Sequence, residues 1–209
     1  MSEPSRTAAR VERVAPGILH WTVPDDRIGF RSDAYAVEGD GGTVLVDPLP
    51  LSERALASLG AVSAIVLTIQ SHQRSAWRYR ARFGAKVHAP AGAEGLEEEP
   101  DAWYEDEAAL PGGLRALHAP GPCDASYALL LGGGRRAPVA FVGDLVTREG
   151  SRALAFVPDR YQDAPRATRE SVRRLAEERI AVLCPGHGAP LRKGGRAALA
   201  AALARDRGG

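Results

Sequence analysis

The sequence predicts an α/β (α+β) fold, a four-layer αββα sandwich whose two β-sheets pack face to face with helices outside both. The prediction rests first on the order of elements, strands first and then strands alternating with helices, twice over, because each apolar sheet face needs a partner layer. It rests also on size. With 209 residues, 44% of them apolar, the chain has material for one substantial core. A single domain over residues 11–209 is expected, preceded by a polar stretch, residues 1–10, that should fray.

The elements follow in order. Val11 to Val14 and Ile18 to Val23 are strand segments around Pro16-Gly17, a dipeptide that favours a turn. Asp33 to Val37 and Thr43 to Val46 flank Gly39-Asp40-Gly41-Gly42, where an Asp-Gly step supplies the positive φ of a tight hairpin. Ser52 can cap a helix that runs to about Leu59 and stops at Gly60. Ile65 to Leu67 reads as an interior strand, Arg74 to Phe83 as a helix closed by Gly84, and Val87-His88 as the start of another strand. Residues 94–107, EGLEEEPDAWYEDE, read as a solvated acidic connector, with a partner-binding face on Trp103 and Tyr104 as the alternative. Leu114 to Leu117, Tyr127 to Leu131 and Val139 to Val142 are strands, with Gly132-Gly133-Gly134 as a hairpin turn. Thr168 to Glu178 is an amphipathic helix, Ala181 to Leu183 a strand, and Gly195 to Arg205 a closing helix.

Composition narrows the function. Basic residues number 27 and acidic residues 26, so no global field draws nucleic acid or an anionic membrane, and neither partner is expected. The opening MSEPSRTAAR has no apolar h-region and no window is long enough to span a bilayer, which points to a cytoplasmic chain. Cys123 and Cys184 are too few for a disulfide framework and read as free thiols. The glycine run at 132–134 lacks the GK[ST] ending of a phosphate loop, and no GxSxG elbow is present.

The chemistry centres on Ile65 to Gly84, IVLTIQSHQRSAWRYRARFG, where a β-branched run ends in a short polar loop ahead of an arginine-studded helix. Three later stretches belong with it: His118-Ala119-Pro120-Gly121-Pro122-Cys123, Phe141-Val142-Gly143-Asp144 and Cys184-Pro185-Gly186-His187-Gly188. With the hairpin segment SDAYAVEGDGGTVLVDP, these resemble the motifs of metallo-β-lactamase-fold hydrolases over nearly the whole chain. The resemblance implies the αββα sandwich and, after Leu67, the pattern THxHxDH, whose side chains hold two metal ions. With Thr68 as the matching threonine, the ligand positions hold Ile69, Ser71, Gln73 and Arg74, and Pro122 stands where a further histidine belongs. Asp144, matching an aspartate that bridges the two ions, and His187, matching the histidine of the PGHG loop, remain.

A zinc hydrolase needs three or more protein ligands and an open position for water. A dinuclear centre is therefore not expected, and no cofactor is predicted. The alternative is one zinc or similar divalent ion on Asp144, His187 and His72, provided that a shifted loop swings His72 inward; otherwise His72 is hydrogen-bonded within its loop. Cys123 and Asp124 should lie at the same mouth, where a thiolate would suit zinc and a protonated thiol would be inert. Arg74, at a vacated ligand position, is expected to hydrogen-bond Asp144 and take the space of the second ion. In the competing reading Arg74 begins its helix on the solvent side. The pocket is thus His72, Arg74, Cys123, Asp124, Asp144 and His187. The expected function is that of a degenerate metal centre which binds a small-molecule ligand or a partner without hydrolysing it. The alternative is a hydrolase of an ester, thioester, lactam or phosphodiester with a mononuclear site around Asp144 and His187.

Overall fold

The computed structural model describes residues 2–132 and 137–206. Its first sheet follows chain order: β1 (Glu12–Ala15), β2 (Ile18–Asp25), β3 (Phe30–Gly39), β4 (Gly42–Val46), β5 (Val62–Val66), β6 (Lys86–Pro90) and β7 (Ala102–Tyr104). Tight turns make β1 to β4 antiparallel, whereas β4, β5 and β6 run parallel because α1 (Glu53–Ala57) and α2 (Ala76–Phe83) carry the chain back between them. The second sheet contains β8 (Ala109–Leu110), β9 (Leu114–His118), β10 (Tyr127–Leu131), β11 (Val139–Phe141) and β14 (Val182–Cys184), in the order β14-β11-β10-β9-β8. Helices α3 (Pro165–Leu175) and α4 (Gly195–Arg205) cover it. A small sheet of β12 (Val146–Arg148), β13 (Ala155–Phe156) and β15 (His187–Gly188) sits at one end.

Alternation along the strands sorts the core into three layers. Ala34 and Ala36 of β3, Leu45 of β4 and Ile65 of β5 face outward and pack with Leu56, Trp77 and Tyr79 of the first two helices. Their neighbours Tyr35, Val37, Val44, Val46 and Val66 face inward, against Ala116, Leu129, Phe141 and Val182 of the second sheet. Ala128, Leu130, Ala140 and Leu183 then face α3 and α4 through Val172, Leu175, Leu199 and Ala202. Three apolar layers between four layers of secondary structure make an αββα sandwich.

Departures from the expected elements have local causes. Helix α3 starts at Pro165, which sits in the first turn where a missing N–H costs nothing. The acidic connector carries β7, because Tyr104 is buried and donates its hydroxyl to Leu67 O at 2.5 Å, while Arg80 binds Glu98 and Asp101 at 3.4 and 3.1 Å. The expected glycine turn reaches Gly133 and Gly134, outside the described residues. Residues 2–8, where fraying is expected, have partners: Ser2 N donates to Glu97 Oε1 at 2.7 Å, Glu3 pairs with Arg78 at 2.9 Å, Ser5 Oγ donates to Asp26 Oδ2 at 2.7 Å, and Ala8 bridges to Leu51.

The β2–β3 turn is clamped by Asp25, whose carboxylate accepts from Arg27 Nε and Nη2 at 2.8 and 2.6 Å and from Ser32 Oγ at 2.7 Å. Burial pushes this carboxyl up, but the Arg27 fork and the Ser32 hydroxyl outweigh it and lower its pKa to about 2. The clamp therefore persists above that pH. Asp25→Asn should loosen the turn without unfolding the sandwich, read as faster amide exchange over residues 26–31 and little change elsewhere.

Candidate metal centre

The loops that leave the C-terminal ends of β4, β5, β11 and β14 meet at one edge of the sandwich, which gives a site built from distant parts of the chain. Gly186 N donates to Gly143 O at 2.8 Å, and Tyr127 N to Thr68 O at 2.9 Å. After Thr68 the chain takes a 3-10 turn over Gln70–Gln73 instead of running straight into a helix. That turn leaves Ser71 exposed and buries His72 at 2% exposure.

Both histidines of the site are fixed by acceptors on one side. His72 Nδ1 lies 2.8 Å from Asp47 Oδ2, and His187 Nδ1 lies 3.0 Å from Arg31 O. A carboxylate and a carbonyl only accept, so each Nδ1 carries the hydrogen and each neutral ring presents a bare Nε2. Those two Nε2 atoms lie 3.1 and 3.2 Å from Asp144 Oδ1. The donor atoms of His72, Asp144 and His187 all fall within 4.8 Å of one another. Yet His72 Nε2 and Asp144 Oδ1 are buried without a hydrogen-bond partner among the described residues, close together but outside hydrogen-bonding direction. Buried acceptor atoms this close together, with no donor between them, fit a shared cation.

The supporting shell is tight. Asp47 Oδ1 accepts from Thr68 N at 2.7 Å, and Oδ2 from Thr68 Oγ1 at 2.6 Å as well as from His72. Asp33 holds the His187 loop on both sides: its N–H donates to Gly186 O at 2.9 Å and its Oδ2 accepts from Gly188 N at 2.6 Å. Its other oxygen lies 2.6 Å from His20 Nε2. His20 therefore supports the site, a role its sequence context does not reveal. Electrostatically, burial and the Arg74 charge push His72 down, but the carboxylates of Asp144 and Asp47 prevail and its pKa is raised. Burial pushes Asp144 up, and the facing His72 and His187 overcome this to hold it well below the usual carboxylate range.

Arg74 does not pair with Asp144, contrary to expectation, and it is not on the solvent side either. At 3% exposure it turns inward from a positive φ of 32° and donates Nη1 to Asp33 O at 3.0 Å and Asp47 O at 3.4 Å. Helix α2 starts only at Ala76, which frees Arg74 to leave the helical path. It braces the carbonyls of the two aspartates that support the histidines. Cys123 and Asp124 are not among the clustered donors. Cys123 Sγ reaches Gln70 Oε1 at 3.7 Å and Ser126 Oγ at 3.4 Å, and burial pushes its thiol up, so it stays protonated. Asp124 is exposed and offers its carbonyl to His118 Nε2 at 2.8 Å.

A profile of the metallo-beta-lactamase superfamily matches residues 12–204. The chain belongs to this superfamily. No curated protein matches the sequence. Among solved structures, DIM-1 metallo-beta-lactamase superposes with a TM-score of 0.73 at 18% identity, covering 95% of this chain and 96% of that one. A metallo-beta-lactamase from Pontibacter korlensis gives 0.73 at 17% identity, covering 94% and 99%. The superfamily protein ST1585 from Sulfolobus tokodaii gives 0.66 at 16% identity, covering 89% and 85%. At these identities the likeness establishes the fold alone.

Within the superfamily pattern the vacated positions have taken other work. Ile69 is buried and has no side-chain donor atom. Gln73 turns away from Asp144, accepting from Trp77 Nε1 and Glu97 N at 2.7 Å each and donating to Gly95 O at 3.1 Å. Pro122 offers Asp163 N its carbonyl and no side-chain donor. Among the described residues of this metallo-beta-lactamase-fold chain, His72, Asp144 and His187 are the side chains whose donor atoms cluster closely enough to hold an ion.

Proposed function

We propose that the chain is a metallo-beta-lactamase-fold hydrolase that works with a single divalent ion, zinc in the first instance, held by His72, Asp144 and His187. The observation that carries this reading is the pair of orphaned buried atoms, His72 Nε2 and Asp144 Oδ1, facing His187 Nε2. Two histidines and one carboxylate are a ligand set used for catalytic zinc and also for non-haem iron(II). An ion there would supply Lewis-acid polarisation of a carbonyl or phosphoryl oxygen and make water acidic enough to attack.

The chain's own residues set the terms. Asp47 keeps the His72 hydrogen on Nδ1 and makes the ring a better ligand, while Arg31 O does the same for His187. Arg74 spans the carbonyls of Asp33 and Asp47, so the two supporting carboxylates keep their spacing. The substrate is an ester, thioester, lactam or phosphodiester.

Metal analysis of protein purified without chelators tests the reading. About one ion per chain is expected, with hydrolysis of at least one of these substrate classes lost on chelation and restored by zinc. Asp47→Asn should keep the fold and weaken metal binding roughly 10–100-fold, the usual cost of losing a carboxylate behind a ligating histidine. Two tightly held ions, or none after zinc titration, would overturn it. The second reading, a ligand-binding protein that hydrolyses nothing, is favoured by the buried Arg74, whose charge His72 and Asp144 both feel and which opposes a nearby cation. It predicts no retained metal.

A further inference from the structure

We infer that the cavity beside His187 binds a small molecule with a carboxylate on an apolar body, the carboxylate on Arg31 and the body against Phe30. The cavity measures about 310 Å³ and lies between the β2–β3 turn and the chain at Thr147 to Gly150, with His187 in its wall. That size is at the lower end of small-molecule sites. Strand pairing places Thr22 opposite Asp33 and Arg31 opposite Pro24. Their side chains therefore continue the inner face of the first sheet past the edge of the core.

An account of every charge in the wall singles out Arg31. Asp33 is bound by His20 and Gly188 N. Glu149 is paired with Arg152 at 2.5 Å. The Arg148 guanidinium is spent on backbone, donating to Arg152 O at 3.0 Å and to Ala189 O at 3.3 Å. Arg31 donates Nε to Thr22 Oγ1 at 3.2 Å, and its two terminal nitrogens have no partner among the described residues. They present the planar fork that matches a carboxylate in a bidentate way. Phe30, 64% exposed, lines the same wall and adds apolar surface to it. A cationic ligand would meet the two open terminal nitrogens of Arg31 with both acids already partnered, and a fully apolar one would leave them unused.

As a statement about substrate the inference rests on the hydrolase reading, because the ligand would lie against His187. As a statement about binding it does not. The test therefore uses full-length protein stripped of metal, so that a carboxylate on an ion cannot stand in for Arg31. Backbone amide NMR is followed during titration with phenylacetate and, separately, its neutral counterpart phenylacetamide. Phenylacetate should shift the amides of Arg31, Thr147 and Gly188 and bind at least about tenfold more tightly than the amide, as expected for hydrogen bonds to a charged partner. Arg31→Gln should abolish that preference, and Phe30→Ala should weaken both probes alike. Should Arg31→Gln not fold, the same preference in the unmodified protein must shrink as salt is raised. Equal affinities for the two probes, a preference that survives Arg31→Gln or is indifferent to salt, or shifts confined to other surfaces would overturn the inference.

Discussion

On the single-ion reading, His72→Ala should abolish divalent-ion binding and remove a large part of the chain's stability together. The ring supplies one of the clustered donors and also stands between two carboxylates, Asp47 at 2.8 Å and Asp144 at 3.1 Å. Removing it takes metal affinity down by more than about a hundredfold, beyond the loss of a mere supporting group. It also leaves two buried carboxylates, Asp47 and Asp144, without the ring that faces both. Breaking a buried pair in this way costs about 3 kcal/mol, which for a chain of this size lowers Tm by roughly 10 °C. Calorimetry with zinc titration measures both, and a variant unchanged in either would remove His72 from the site.

The same ring sets a pH signature. In metal-free protein the raised His72 contributes stability that is complete below the unfolded histidine value of about 6.5 and is lost as pH rises through the higher folded value. Asp144, held low, contributes above its unfolded value near about 4 and loses that contribution as pH falls towards its folded value. The loaded protein behaves in the opposite way at neutral pH. An ion must displace the His72 proton, so affinity rises with pH until that group has titrated.

Gly186→Ala should disable the centre with every ligand still present. A Cβ built on Gly186 would lie 2.6 Å from His72 Cε1, 3.0 Å from Gly143 O and 3.2 Å from Asp144 Oδ1. Two of these neighbours belong to ligands and the third to backbone, so nothing flexible can give way. The overpacking costs about 1–3 kcal/mol, and a displaced imidazole should lower metal affinity tens of times or more, since ligand geometry tolerates only about half an ångström. Gly41→Ala is the control, because a Cβ there meets nothing within 4 Å. Equal metal affinity in the two variants would refute the proposed packing.

The fold was legible because its signals are local and repeated. Pro16-Gly17 and the alternation at Asp33 to Val37 match the observed strands, and the hairpin at Gly39 to Gly42 forms as expected, although its positive φ falls on Gly42 and not on the Asp40-Gly41 step. The site was legible only as a set of positions. Matching Thr68 to a threonine assigns Ile69, Ser71, Gln73 and Arg74 to ligand places, but which side chain faces inward is decided by the 3-10 turn at Gln70–Gln73. Spacing alone does not encode that rotation. Arg74 was misjudged for a related reason: both expectations assumed that it starts or abuts a helix, whereas α2 begins two residues later. Asp33 and His20 carried little signal, because their role depends on a contact with a loop more than 150 positions away.

The contacts of residues 2–5 bear on how this protein is handled at the bench. Ser2 Oγ lies 3.4 Å from Arg74 O, its N–H reaches Glu97, its carbonyl accepts from Arg27, and Glu3 meets Ser75 and Arg78. A polyhistidine affinity tag fused at this end would therefore enter the chain beside the loop that carries His72, bringing spare imidazoles close to the His72, Asp144 and His187 cluster. Ion counts from such a fusion would mix tag and site, and the added chain would also press on the seating of Ser2. Purification through a tag at the far side of α4, or with the leader cleaved before metal is counted, keeps the stoichiometry that decides between one ion and none free of that artefact.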